Sequence, residues 1–359
     1  MATIRVLVAE DSLTVRRLLC AVLDREPEIE VVGEAEDGKR AIELCCGLRP
    51  DVMTLDMMMP VMSGLAATEY IMAHCPTPIL IVSSSVNRGE LFKTYDALAA
   101  GAVDVLDKMS EDQRPEEWER RLIAAVKLVS RIKVITHPRA RLAAIGRAAP
   151  IEPPVLRSFA EGARECELVG IGASTGGPAA IVEVLRALPV DFPPPILLVL
   201  HIGEPFARAF AEWLDGQTPH RVAYARDGEP IAATRGRVVI APADRHLEVY
   251  GGRLRLTAAP ERHSCRPSVD VLFESMAREY GAAAAGCLLT GMGRDGAAGL
   301  LAIRNAGGIT IAQDEATSVV YGMPREAVLM GAAAQVLPLG EIGASLAAII
   351  ARQGTRRAS

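Results

Sequence analysis

Apolar and polar positions alternate along this chain in two long blocks, separated by a stretch in which the pattern lapses. In the first block, residues 4–9 form a nearly continuous apolar run, the kind buried on both faces of a parallel sheet. Val15, Leu18, Leu19, Val22 and Leu23 then recur at helical spacing. Further strands are predicted at 30–32, 52–55, 79–82 and 102–106. A last amphipathic helix carries Trp118, Leu122, Ala125, Val126 and Val129. Strands alternating with helices in this way predict a doubly wound α/β domain over residues 1–129. Residues 130–165 hold Pro138, Pro150, Pro153 and Pro154 among Arg131, Lys133, Arg139, Arg141, Arg147 and Arg157, which predicts a basic, semi-stiff linker.

The alternation resumes over 166–353. Strands are predicted at 168–171, 196–200, 238–240, 286–289 and 308–312, with helices after Pro178, Pro205, Ser268, Gly296 and Pro324. Gly251-Gly252, between two short apolar-containing runs, predicts a hairpin inserted into a second parallel-sheet domain. A length of 359 residues, half of them hydrophobic, suits two separate cores. The net charge of −5 argues against a nucleic-acid surface. No apolar run reaches the roughly 18 residues of a membrane helix, so the chain reads as no integral membrane protein. Residues 1–6 enter a strand at once and carry no signal-peptide pattern. The seven cysteines are scattered without a CxxC pair, which predicts neither a disulfide framework nor a zinc site, and a cytoplasmic setting. Cys45-Cys46 reads as core packing.

Chemistry gathers at predicted strand ends, where ligands bind in open α/β sheets. In the first domain Glu10 and Asp11 end strand one, Asp56 ends strand three, Ser83 ends strand four and Lys108 follows strand five. Clustered carboxylates repel one another and make a hard-oxygen site suited to Mg²⁺. Asp56 is then placed as a nucleophile that forms an acyl phosphate. Lys108 and Ser83 are placed to contact the phosphate.

In the second domain Ser174 sits in Gly172-Ala173-Ser174-Thr175-Gly176-Gly177-Pro178, directly after an apolar run. A strand, a tight glycine turn and a helix start make the nucleophile-elbow pattern, which lifts a hydroxyl out at a sheet edge. His201 ends the run Ile196-Leu197-Leu198-Val199-Leu200 and is the candidate base. Asp295, in Leu289-Thr290-Gly291-Met292-Gly293-Arg294-Asp295-Gly296, is the candidate orienting acid. The backbone N–H groups of Thr175 and Met292 are candidates for an oxyanion hole. His246 and His263 read as surface residues of polar loops, and Asp270 as the start of a helix.

With these residues in view, 4–129 resemble a response-regulator receiver domain. Two positions depart from that pattern: Met109 follows Lys108 where proline is usual, and Val105 replaces the aromatic residue of strand five. Residues 166–350 resemble the catalytic domain of the chemotaxis protein-glutamate methylesterases. The resemblance rests on the Ser174 and Asp295 segments, on Ile240-Ala241-Pro242-Ala243-Asp244-Arg245-His246, on Arg266-Pro267-Ser268-Val269-Asp270-Val271-Leu272-Phe273, and on Tyr321-Gly322-Met323-Pro324-Arg325-Glu326-Ala327. Leu200 and Ile202 stand where that family often has Gln and Met around the histidine.

The resemblance implies a flavodoxin-like receiver followed by a Rossmann-like serine hydrolase domain. It implies hydrolysis of γ-glutamyl methyl esters on chemoreceptors, with deamidation of receptor glutamines by the same chemistry. It also implies activation through phosphorylation by a chemotaxis histidine kinase, Mg²⁺ for that phosphorylation, and no cofactor for ester hydrolysis. Two other classes carry less. An adaptor without catalysis would not need the intact triad, and a DNA-binding regulator would need a basic recognition helix that the second half lacks.

Overall fold

A computed structural model describes residues 3–84, 87–110, 113–132, 134 and 166–357. Most of the predicted linker lies outside the described residues. The chain divides into two compact units, Met1–Pro150 and Ile151–Ser359.

The first unit runs β1 (Ile4–Ala9), α1 (Leu13–Leu23), β2 (Ile29–Ala35), α2 (Gly38–Leu48), β3 (Val52–Leu55), α3 (Gly64–His74), β4 (Ile79–Ser83), α4 (Arg88–Ala99), β5 (Asp104–Asp107) and α5 (Pro115–Val129). Its strands form one parallel sheet in the order β2-β1-β3-β4-β5. All four residues of β3 are buried, as its position in the middle of the sheet demands. Strand β2 is longer than the predicted 30–32, because an edge strand exposes Glu30 and Glu34 and so shows no continuous apolar run. Polar side chains start the helices: Asp37, Ser63 and Asn87 accept from the amides of Arg40, Ala66 and Glu90. Leu7, Met53, Leu55, Ile79 and Ile81 make the core with Ala67 and Ile71.

One expectation fails here. Cys46 of α2 is disulfide-bonded to Cys75 at the end of α3, across a Cα–Cα separation of 5.4 Å. Packing of α2 on α3 brings together residues 29 apart in sequence, a proximity that spacing does not reveal. Cys45 is buried, as expected, and donates to Thr77 Oγ1.

The second unit runs β6 (Leu168–Ala173), α6 (Gly177–Arg186), β7 (Ile196–Leu200), α7 (Glu204–Ala207), α8 (Phe210–Gln217), β8 (Arg221–Tyr224), β9 (Arg237–Ile240), β10 (His246–Tyr250), β11 (Arg253–Thr257), α9 (Val269–Tyr280), β12 (Ala284–Leu288), α10 (Ala297–Asn305), β13 (Ile309–Gln313), α11 (Met323–Leu329), β14 (Gln335–Leu337) and α12 (Leu339–Arg357). Seven strands form a parallel sheet in the order β14-β13-β12-β6-β7-β9-β8. Strands β10 and β11 are the predicted hairpin, closed by Gly251-Gly252. From β6 the chain builds outward through β7, then returns to lay β12 on the other side of β6. The strand order therefore reverses between β6 and β12, and such a switch point opens a crevice at the carboxyl ends of the strands.

Candidate active site

Ser174 follows β6 at that crevice. The turn after it is tight: Gly177 N–H donates to Ser174 O at 2.6 Å, and Gly176 holds φ 76° as it starts α6. A side chain at Gly291, in the loop after β12, would put its Cβ 2.7 Å from Ser174 Cβ and 2.4 Å from Met323 Sδ. Glycine there lets the two loops touch. Thr290 ties them together: its hydroxyl donates to Thr175 O at 3.0 Å, and its N–H donates to Gln313 Oε1 at 2.8 Å.

His201 follows β7, the neighbour of β6. Ala173 and Leu200 are register partners, and His201 N–H donates to Ala173 O at 3.0 Å, so residues 174 and 201 emerge side by side. The His201 side chain is 15% exposed, and its Nε2 lies 3.0 Å from Asp295 Oδ2. That contact is an ion-pair approach off the hydrogen-bond direction of the ring. The other ring nitrogen, Nδ1, faces Cys265 Sγ at 3.8 Å. Among the described residues no hydrogen bond joins Ser174 Oγ to the ring.

Asp295 is almost fully buried and is held from several sides. Ser268 Oγ donates to its Oδ1 at 2.7 Å, Val269 N–H to Oδ2 at 2.7 Å and Asp270 N–H to Oδ1 at 3.1 Å. The carboxylate thus sits on the N-terminus of α9, where backbone N–H groups and the helix dipole favour negative charge. Burial pushes its pKa up, but the approach of His201 and the hydrogen bonds from Ser268 and Val269 outweigh burial and hold it below the ordinary value. Burial pushes the His201 pKa down. The neighbouring Asp295 and Cys265 reverse that and bring it up to about 9.

Of the oxyanion-hole candidates, Thr175 is buried and Met292 is 55% exposed. His263 is exposed, as expected, and Asp270 opens α9 and accepts from Gly299 N–H at 2.6 Å. His246 departs from its expected surface position. It begins β10 fully buried, with Nδ1 accepting from Ser268 N–H and Nε2 at 3.1 Å from Pro260 O. It therefore braces the residue that braces Asp295. Ser268, Thr290 and Gln313 support the site, and no sequence signal singles them out. The only hint was that Ser268 and Thr290 fall inside recognisable motifs.

In the first unit, β1 and β3 are adjacent and bring Glu10, Asp11 and Asp56 to one rim, with a carboxylate oxygen of each within 4.8 Å of the others. Lys108 Nζ lies 2.9 Å from both Glu10 Oε2 and Asp56 Oδ1. These two oxygens are buried without an aligned hydrogen bond. Burial pushes Glu10 up to about 7 against the pull of Lys108, and it raises Asp56 in the same way. One lysine does not balance three carboxylates, and the donors are all hard oxygens, so the residues fit a divalent cation. Ser83 ends β4 as predicted, but its hydroxyl donates to Glu90 Oε1 at 2.7 Å, an acceptor the sequence did not announce. Ser84 donates to the same oxygen.

Residues 6–117 match the response regulator receiver domain model and residues 169–346 match the CheB methylesterase model. A protein-glutamate methylesterase/protein-glutamine glutaminase of Anaeromyxobacter dehalogenans is 46% identical over 96% of each chain. Another, of Nitrosospira multiformis, is 42% identical over 98% of each. The crystal structure of the Thermotoga maritima CheB methylesterase catalytic domain is 35% identical, covers 52% of this chain and all of that one, and superposes with a TM-score of 0.49. With a triad-like cluster at the switch point of one unit and an acidic rim in the other, the chain belongs to the protein-glutamate methylesterase/protein-glutamine glutaminase family, with a receiver domain ahead of the hydrolase.

Proposed function

We propose that this chain hydrolyses glutamate γ-methyl esters on the cytoplasmic helices of chemoreceptors and deamidates receptor glutamines, under control of its receiver. The observation that carries the reading is the convergence of Ser174, His201 and Asp295 on the β6, β7 and β12 strand ends. Ser174 Oγ attacks the ester carbonyl and passes its proton to His201. Asp295 faces Nε2, so that nitrogen carries the ring proton and Nδ1 is the basic one. Backbone N–H groups of Thr175 and Met292 are suited to receive the oxyanion. Collapse of the tetrahedral adduct breaks the bond to the methoxy oxygen, which takes the proton from His201 and leaves as methanol, and water then frees the glutamate by the same route. A glutamine differs only in losing ammonia.

In the receiver, Asp56 takes a phosphoryl group from the phosphohistidine of a chemotaxis kinase. Glu10, Asp11 and Asp56 would hold Mg²⁺, which supplies charge neutralisation for the incoming phosphate. Lys108 contacts the phosphate, and Ser83 does so after leaving Glu90. The test is methanol release from methylated receptor membranes. Wild type should release it and Ser174→Ala should not; equal release by both would refute the assignment.

A further inference from the structure

Cys265 is the neighbour of His201 that the reaction does not use. Its place is fixed. Residues 262 and 265 exchange two backbone hydrogen bonds of 3.1 and 2.9 Å, and Arg262 is clamped by both oxygens of Glu274 on α9, at 2.6 and 2.7 Å. Sγ thereby stands 3.8 Å from His201 Nδ1, and one ligand atom each from His201, Cys265 and Asp295 lies within 4.8 Å of the other two. A tetrahedral zinc ion with bonds of about 2.0–2.3 Å needs ligand atoms roughly 3.3–3.7 Å apart. Cys265 faces Nδ1 and Asp295 faces Nε2, so closing that gap requires the imidazole ring to turn until one nitrogen addresses both partners. The cleft of about 500 Å³ that includes Cys265, Met292, Arg294 and Asp295 gives an ion access from solvent.

We propose that His201, Cys265 and Asp295 form an inhibitory site for zinc, resting on the reading of His201 as the base for Ser174. On binding, the Cys265 thiol gives its proton to solvent and forms a Zn–S bond. A neutral His201 ring nitrogen and an Asp295 oxygen donate further pairs, and water completes the shell. No electron is transferred. The ion occupies the imidazole lone pair that ester hydrolysis requires, so turnover stops until a chelator removes it. Thiolate and imidazole ligands discriminate against magnesium and calcium. The cation of the receiver therefore does not compete here, and the two metals act oppositely on one chain.

The full-length protein, stripped with chelator and supplied with excess Mg²⁺, is titrated with Zn²⁺ while methanol release is followed. Wild type should be inhibited reversibly, and Cys265→Ser, with each protein's rate normalised to its own zinc-free rate, should need at least about tenfold more zinc. Co²⁺ should give wild type a thiolate-to-cobalt absorption band that Cys265→Ser lacks. In unmutated protein, inhibiting zinc should protect Cys265 from iodoacetamide, read by peptide mass spectrometry, so a misfolded variant leaves the question decidable. Equal zinc sensitivity of the two proteins, or alkylation of Cys265 unaffected by inhibiting zinc, overturns the site. If zinc-free wild type releases no methanol, the esterase reading falls, and the cobalt band and the alkylation still decide the metal site.

Discussion

Ser174, His201 and Asp295 differ in how much structure depends on each. The Ser174 hydroxyl makes no hydrogen bond among the described residues, so Ser174→Ala should unfold within about 0.5 kcal/mol of wild type. It should still lose at least about 10³-fold in kcat. Asp295 instead receives three hydrogen bonds besides facing His201. Asp295→Asn turns an amide toward backbone donors, and it should cost about 1–3 kcal/mol in denaturant unfolding together with about 10²–10⁴-fold in kcat/KM. A pH profile separates the two effects. His201 holds its proton up to about 9, partly through Asp295, so kcat/KM should climb as pH rises toward that value. The Asp295→Asn profile should climb at lower pH, and an unmoved profile would mean that another group sets it. The same raised value stabilises the fold fully below the ordinary histidine pKa of 6.5, and that contribution fades as pH rises through about 9.

The strand ends were legible at the level of elements because central parallel strands bury both faces and so write continuous apolar runs. Val52–Leu55 and Ile196–Leu200 are such strands, buried throughout. Strands β8 and β14 went unread: they are edge strands of four and three residues, and none of their residues is fully buried. Ser174, His201 and Asp295 could be found because each lies next to a strand, in a turn or just past one. The supports of Asp295 could not, since Ser268 reaches it from the start of α9 and His246 acts only through Ser268, where the hairpin packs on α9 and α9 on the sheet. The loop after β12 offers a test of how closely these elements fit. Gly291→Ala would press on Ser174 and Met323, and it should cost about 1–3 kcal/mol of stability. Moving the nucleophile by a fraction of an ångström should lower kcat by about 10-fold or more. Wild-type kcat in that variant would show that the turn yields without displacing Ser174.

For the molecule as a whole, acetyl phosphate with Mg²⁺ should label Asp56 and raise methanol release, and Asp56→Asn should respond in neither assay. Labelling without a rate change would mean that Val105 and Met109 have uncoupled the receiver from the hydrolase. The order of strands has a further consequence for how an active molecule comes to exist. Strand β6 must hold β12 on one side, although residues 168 and 284 that begin the pairing are far apart in sequence. Contacts of such separation form late, because a long loop must close before they are rewarded. A chain still on the ribosome carries Ser174 and His201 early, beside a sheet edge that awaits β12 and without the carboxylate at position 295. Full hydrolytic competence therefore waits until residue 295 has been made and β12 has paired, and until then the growing chain carries a nucleophile whose base lacks its orienting carboxylate.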